Sequence, residues 1–273
     1  MGREVLVVIG VGGMGQAIAR RIGSGKTVLL ADFNERTLQS AADALTADGH
    51  HVELSKVDVA SAGSVGALAQ CAAALGPVTQ IAHTAGLSPS QADAAAILAV
   101  DLLGVALVLD EFATVVAEAG AGVVIASVAG HMFPPLTPEQ QHALAHTAAK
   151  DLLQLPFVSP DNISNPGLAY GIAKQANHIR IHAASAAWGR RGARINSISP
   201  GIISTTMGHH ELASPTGDGM RSMIEASAAG RLGTPDDIAA ASAFLLGPDA
   251  SFITGTDLLV DGGLIAAIRA GNR

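Results

Sequence analysis

Val5-Leu6-Val7-Val8-Ile9-Gly10-Val11-Gly12-Gly13-Met14-Gly15-Gln16-Ala17-Ile18 is the stretch on which the reading of this chain turns. Val5 to Ile9 is a compact, β-branched apolar run, and Gln16 to Ile22 carries a helical pattern; the glycines lie between them. The order is strand, tight turn, helix. Glycines at 10, 12, 13 and 15, with Met14, permit positive φ and let the backbone approach a pyrophosphate. They also aim the first helical N–H groups at its charge.

The next strands extend that reading. Thr27 to Ala31 ends on Asp32-Phe33, and Asp32 stands 22 residues after Gly10. A carboxylate there accepts hydrogen bonds from adenosine ribose hydroxyls and repels a 2′-phosphate. No Arg or Lys lies beside it, so NAD is expected rather than NADP. Val52 to Val57 closes on Asp58-Val59, where Asp58 either contacts the adenine edge or acts as a helix N-cap or turn aspartate. After a strand at Gln80 to His83, Thr84-Ala85-Gly86 supplies small residues where a cofactor could pass close to backbone.

Further strands are expected at Gly122–Ser127, Arg194–Ser199 and Asp257–Val260. Helices are expected at Leu38–Ala47, Ser64–Ala74, Asp93–Ala119, Ala173–Trp188 and Pro235–Leu246. Such alternation predicts an α/β fold, a Rossmann-type doubly wound parallel sheet with right-handed crossovers. One domain over residues 1–273 is expected, with a helical insertion at about 131–169, where Pro134, Pro135 and Pro138 cluster.

Composition removes other classes. The formal charge is −7 with no basic stripe, so no nucleic-acid or anionic-membrane partner is expected. The apolar stretch from Ala94 to Val116 is interrupted by Asp101, Asp110 and Glu111, which argues against a membrane span. Met1 to Ile9 is too short for a secretory signal, and the single cysteine, Cys71, has no internal partner; it reads as an inert, half-buried thiol. A cytoplasmic protein is expected. His142 and His146 are four apart on an expected helix, and His182, His209 and His210 are further candidates. None has a Cys or acidic partner at metal-site spacing, so no metal is expected.

The chemistry falls on Tyr170 and Lys174, one helical turn apart, so the ammonium can approach the phenol. A positive charge there favours the phenolate that acid–base work on an alcohol requires. Tyr170 is the chain's only tyrosine. Ser127, at a strand end before Val128-Ala129-Gly130, can donate to a substrate oxygen as charge develops on it.

These motifs, in this order, resemble the short-chain dehydrogenase/reductase family over essentially the whole chain. Ser127-Val128-Ala129-Gly130 resembles its serine motif, and Tyr170-Gly171-Ile172-Ala173-Lys174 its Tyr-x-x-x-Lys motif. Pro200-Gly201, followed by Ile203, Thr205 and Met207, is similar to its Pro-Gly-x-x-x-Thr-x-Met turn. The resemblance implies that Tyr170 is the acid or base, Lys174 holds the nicotinamide ribose, and Ser127 orients the reacting oxygen. Ile203 and Thr205 would bind the carboxamide and phosphate side.

Three positions depart from the family. The glycine spacing looks more like the general dinucleotide fingerprint, and His83-Thr84-Ala85-Gly86 replaces Asn-Asn-Ala-Gly. Asp101 stands where the catalytic tetrad has asparagine; its backbone carbonyl could still serve a proton-relay water. The interval from Ser127 to Tyr170 is similar to the bacterial 3α-hydroxysteroid dehydrogenase/carbonyl reductase branch. That branch implies a homo-oligomer, a dimer rather than a tetramer. Met132, Phe133, Leu168 and Met207, with Leu136, Leu155 and Phe157, border the expected substrate mouth. As a set they suggest a small hydrophobic alcohol or ketone, steroid- or terpenoid-like. The alternative is a catalytically weak NAD-binding sensor or scaffold, which only the changes at His83 and Asp101 support.

Overall fold

The structure is a computed structural model that describes residues 2–271. Seven parallel strands form one sheet: β1 Val5–Ile9, β2 Thr27–Asp32, β3 His51–Lys56, β4 Val78–His83, β5 Val116–Ile125, β6 Arg194–Pro200 and β7 Asp257–Val260. Their order is β3-β2-β1-β4-β5-β6-β7. The winding reverses direction between β1 and β4, and a crevice opens there at the carboxyl ends of the strands.

Strands buried on both faces read as continuous apolar runs, and β1 shows why. Val5, Val7 and Ile9 enter the core on one side of the sheet, and Leu6 and Val8 enter the core on the other. Helices α1 Gly13–Ile22 and α2 Glu35–Ala47 cover the second side with α11 Pro235–Leu246. The first side is covered by α3 Ala62–Leu75, α5 Val105–Val115 and α8 Pro166–Gly189. Trp188 near the end of α8 is buried, and its Nε1–H donates to the Leu109 carbonyl of α5 at 3.1 Å.

The helix expected over Asp93–Ala119 is three segments and stops early. Asp93 caps α4 Ala94–Ile97; a π-helical turn, Leu98–Gly104, follows and leads into α5. Val116 already pairs with Val78, and the chain then bulges before Ala121 meets Gln80. Ala119 takes φ 58° inside that bulge. Cys71, expected half-buried, is exposed on α3.

Between β5 and α8 lie α6 Ala129–Met132, α7 Pro138–His146 and a 3₁₀ turn at Ala149–Gln154. Helices α6 and α7 pack onto α8 and the 3₁₀ turn onto the π-helical turn. Leu144 and Leu152 are fully buried, and Arg180 Nη1 of α8 donates to the carbonyls of Leu144 and Thr147 at 2.9 and 3.0 Å. After β6, two helices not foreseen, α9 Thr206–Ala213 and α10 Gly217–Ala226, lead to α11, and α12 Leu264–Arg269 follows β7. Among the described residues, no helix is long and apolar enough to cross a membrane.

Candidate active site

A cleft of about 690 Å³ lies at the crevice between β1 and β4. The sequence-predicted residues Gly10, Gly12, Gly13, Met14, Gly15, Asp32, Phe33, Asp58, Val59, Thr84, Ala85, Gly86, Thr205 and Met207 all line it. Thr37, Leu87, Gln91, Val100 and Thr206 line it too and were not foreseen. No lysine or arginine is among these residues.

The glycine loop is shaped by close backbone approach. Gly10 sits at φ 88°, and a Cβ there would collide with the backbone of Ala85. A Cβ on Gly15 would collide with the Gly10 carbonyl, whereas one on Gly12 would meet nothing. Gly12 is the N-cap of α1 and offers no side chain to the first N–H groups. Those donors face the cleft without a side-chain acceptor, as an anion site requires.

Asp32 ties this loop to β2: Oδ2 accepts from the Val11 N–H at 2.8 Å and Oδ1 from the Asn34 N–H at 2.9 Å. Asp58 accepts from the Ala60 N–H at 3.0 Å, a turn role that coexists with its place on the cleft wall; the cap of α3 is Ser61. Thr205 caps α9, and its methyl lies close to Gly13.

The second half of the site lies under Gly86, whose Cβ, if present, would be 3.2 Å from Asp101 Oδ2 and 3.5 Å from Lys174 Nζ. Those two side chains form an ion pair at 3.0 Å with exposures of 0% and 4%. Asp101 Oδ1 also accepts from the Leu87 N–H at 2.8 Å, and Lys174 Nζ donates to the Ile125 carbonyl at 3.4 Å. Lys174 Nζ lies 5.3 Å from the centre of the Tyr170 ring. Burial disfavours the Lys174 ammonium, but the charge of Asp101 and then of Tyr170 outweigh it, so its pKa stands above the ordinary value. Burial pushes the Asp101 carboxyl up, against the pull of Lys174 and the Leu87 N–H.

Asp101 sits in the π-helical turn, where backbone groups lose their regular partners. The Asn177 amide, oriented to satisfy both its ends, donates to the Asp101 carbonyl at 2.9 Å and to the Ala173 carbonyl at 3.1 Å. The carbonyl assigned to a relay water is therefore already engaged. Asn177 was missed, although its i+3 spacing from Lys174 puts it on the same helical stripe.

Ser127 Oγ accepts from the Ala129 N–H at 3.1 Å, which leaves its own proton free to donate. Phe133 packs against Gly171, next to Tyr170 in the chain. Met132 and Leu168 are 40% and 42% exposed and do not line the cleft. Pro200 and Gly201 form the β6 exit. Gly201 and Ile203 line a separate cavity of about 330 Å³, with the Ile203 side chain buried.

Residues 3–139 match the family described as short chain dehydrogenase, and residues 151–265 the one described as enoyl-(acyl carrier protein) reductase. The short-chain dehydrogenase/reductase bsc3 of Alternaria brassicicola is 41% identical over 97% of both chains. The chain belongs to the short-chain dehydrogenase/reductase family. Within it, the 3-alpha-hydroxysteroid dehydrogenase/carbonyl reductase of Comamonas testosteroni is 27% identical over 97% of this chain and 98% of its own. Levodione reductase superposes with a TM-score of 0.76 at 25% identity, over 97% of this chain and 98% of that one. This short-chain dehydrogenase/reductase is thus an oxidoreductase of alcohols and carbonyls that uses a nicotinamide cofactor.

His83, in place of the family's asparagine, is 1% exposed, and neither ring nitrogen has a hydrogen-bond partner. Burial, then the charge of Lys174, pushes its pKa down to about 3. The unfolded chain takes up this proton near pH 6.5 and the folded one only near 3. Stability is therefore complete above pH 6.5 and falls as the pH drops toward 3. In urea unfolding, the loss between pH 7 and pH 5 should be smaller in His83→Asn by about 2 kcal/mol. An equal loss in both proteins would show that His83 is not held neutral.

Proposed function

We propose that this enzyme uses NAD to interconvert a hydrophobic secondary alcohol and its ketone, with Tyr170 as acid and base. The observation that carries the reading is the continuity of the site. Gly86 belongs at once to the wall of the glycine-loop cleft and to the roof over Lys174, beside Tyr170.

The chain's residues fit a dinucleotide. The uncapped start of α1 suits a pyrophosphate, and the open space at Gly12 leaves room for it. The free acceptor capacity of Asp32 suits ribose hydroxyls. A 2′-phosphate would meet that carboxylate with no basic side chain among the cleft-lining residues, which favours NAD. When bound, the nicotinamide supplies or accepts a hydride.

The protein's share is proton transfer and positioning. In oxidation the Tyr170 phenolate takes the substrate hydroxyl proton; in reduction the phenol returns it to the carbonyl oxygen. Ser127 donates to that oxygen. Lys174 has three N–H donors; the Ile125 carbonyl takes one and Asp101 stands at ion-pair distance, so a donor remains for a ribose hydroxyl. Leu87, Val100 and Met207 give the cleft apolar walls, in keeping with a hydrophobic substrate. The steroid or terpenoid class rests on the likeness to the Comamonas enzyme.

Purified enzyme should reduce NAD in the presence of at least one member of a panel of hydrophobic secondary alcohols, steroids included, and prefer it to NADP. Tyr170→Phe should lower kcat by roughly 10²–10⁴-fold while still binding NAD. Tight NAD binding with no turnover across the panel would contradict the reading, and a preference for NADP would contradict the role given to Asp32.

The same reading makes the working unit a cytoplasmic homodimer. Helix α7 packs along α8 and the 3₁₀ turn at Ala149–Gln154 packs against the π-helical turn, so the insertion occupies within one chain the face that the family resemblance associates with tetramers. Sedimentation equilibrium should give the mass of two chains; a mass of four would contradict this.

A further inference from the structure

His131, His178 and Asp257 converge on one another at a place the hydride reaction does not use. They come from three elements: α6 just after Ser127, α8 one turn beyond Lys174, and the first residue of β7. Their nearest ligand atoms all lie within 4.8 Å of one another. His131 Nε2 is 2.7 Å from Asp257 Oδ2, and His178 Nε2 is 3.5 Å from Asp257 Oδ1. The two imidazole rings are 4.6 Å apart between centres and present the same nitrogen to one carboxylate.

The surroundings complete the arrangement. Ser197 Oγ and Ser199 Oγ donate to Asp257 Oδ1 at 2.7 and 3.0 Å, which fixes the carboxylate in place. Ser199 Oγ is also 2.9 Å from His178 Nε2. Side-chain exposures of 19% for His131, 13% for His178 and 9% for Asp257 leave the cluster partly open to solvent.

We infer that His131, His178 and Asp257 form a binding site for a borderline divalent transition-metal cation of the Zn²⁺ type. Two imidazole nitrogens and a carboxylate oxygen suit zinc and not Mg²⁺ or Ca²⁺, which take oxygen ligands. Ligands around a tetrahedral zinc with bonds of about 2.0–2.1 Å stand about 3.3 Å apart. The His178 Nε2–Asp257 Oδ1 spacing of 3.5 Å is near that value; His131 Nε2 stands closer, 2.7 Å from the other carboxylate oxygen, and recedes as the ion enters. His131 and His178 each offer a lone pair at Nε2 once the proton resides on Nδ1; for His178 this gives up the Nε2–H that Ser199 Oγ accepts while Ser199 donates to Asp257. Solvent supplies the fourth ligand, and the two serines orient the carboxylate from behind. The bound ion joins the segment that follows Ser127 to the helix of Tyr170 and Lys174.

Metal-free, tag-free enzyme titrated with Co²⁺ should develop visible absorption that saturates at one ion per chain and is bleached by Zn²⁺. His131→Gln and His178→Gln should each weaken binding more than about a hundredfold, and Ser199→Ala roughly tenfold. A His142→Ala/His146→Ala double variant should bind as the wild type does. X-ray absorption at the zinc edge of the loaded wild-type enzyme needs no variant and should show two imidazoles with oxygen donors. Absence of saturable binding, retention of binding in the His131 and His178 variants, or a zinc shell without imidazole would overturn the assignment.

Discussion

The site depends on a pair of opposite charges buried out of water. Taking a carboxylate and an ammonium into the interior costs several kcal/mol for each ion, and their attraction offsets this only when the geometry is good and the remaining donors and acceptors are used. Asp101 and Lys174 meet them in part: Asp101 Oδ1 accepts from the Leu87 N–H and Lys174 Nζ donates to the Ile125 carbonyl, while Asp101 Oδ2 faces Nζ at 3.0 Å with no hydrogen bond of its own. Four parts of the chain must therefore come together: the π-helical turn before α5, the loop after β4, the end of β5, and α8. That requirement fixes α8 against the sheet, and with it the distance of Tyr170 from the cleft.

The nucleotide end was legible in the sequence because its determinants are local. Glycines after an apolar strand and an acid at the end of the next strand need no tertiary information, and those residues all line the cleft. Tyr170 and Lys174 were legible for the same reason, as helical spacing alone puts them on one face. The start of their helix, expected at Ala173, lies earlier: Asn165 accepts from the Leu168 N–H, with Pro166 in the first turn, so α8 begins at Pro166. The early end of α5 was not legible either: Val116 is apolar enough for helix or strand, and its pairing with Val78 decides the matter.

What the sequence could not show is contact across the sheet. His131, His178 and Asp257 lie far apart in the chain, and only the adjacency of β6 and β7 under α8 brings them together. The histidines with suggestive spacing, His142 and His146, have rings 4.5 Å apart but belong to no group of three ligands among the described residues. Exposure was equally hidden. Met132, Phe133, Leu168 and Met207 suit an apolar mouth by composition, but of these four only Met207 reaches the cleft wall. The π-helical turn has no sequence signature, although it presents Asp101 to Lys174.

His83 and Asp101 depart from the family together. His83 stays neutral beside Lys174, and the countercharge nearest the ammonium is Asp101, 3.0 Å away. On this account Asp101 acts as an acceptor that holds Lys174 and the Leu87 N–H. Its carboxylate takes no proton from substrate. Steady-state turnover of Asp101→Asn and Asp101→Leu tests this most directly. The account predicts that the asparagine variant keeps substantial activity, with reduced stability, and that the leucine variant loses it. Complete loss in Asp101→Asn, or wild-type turnover in Asp101→Leu, would contradict it.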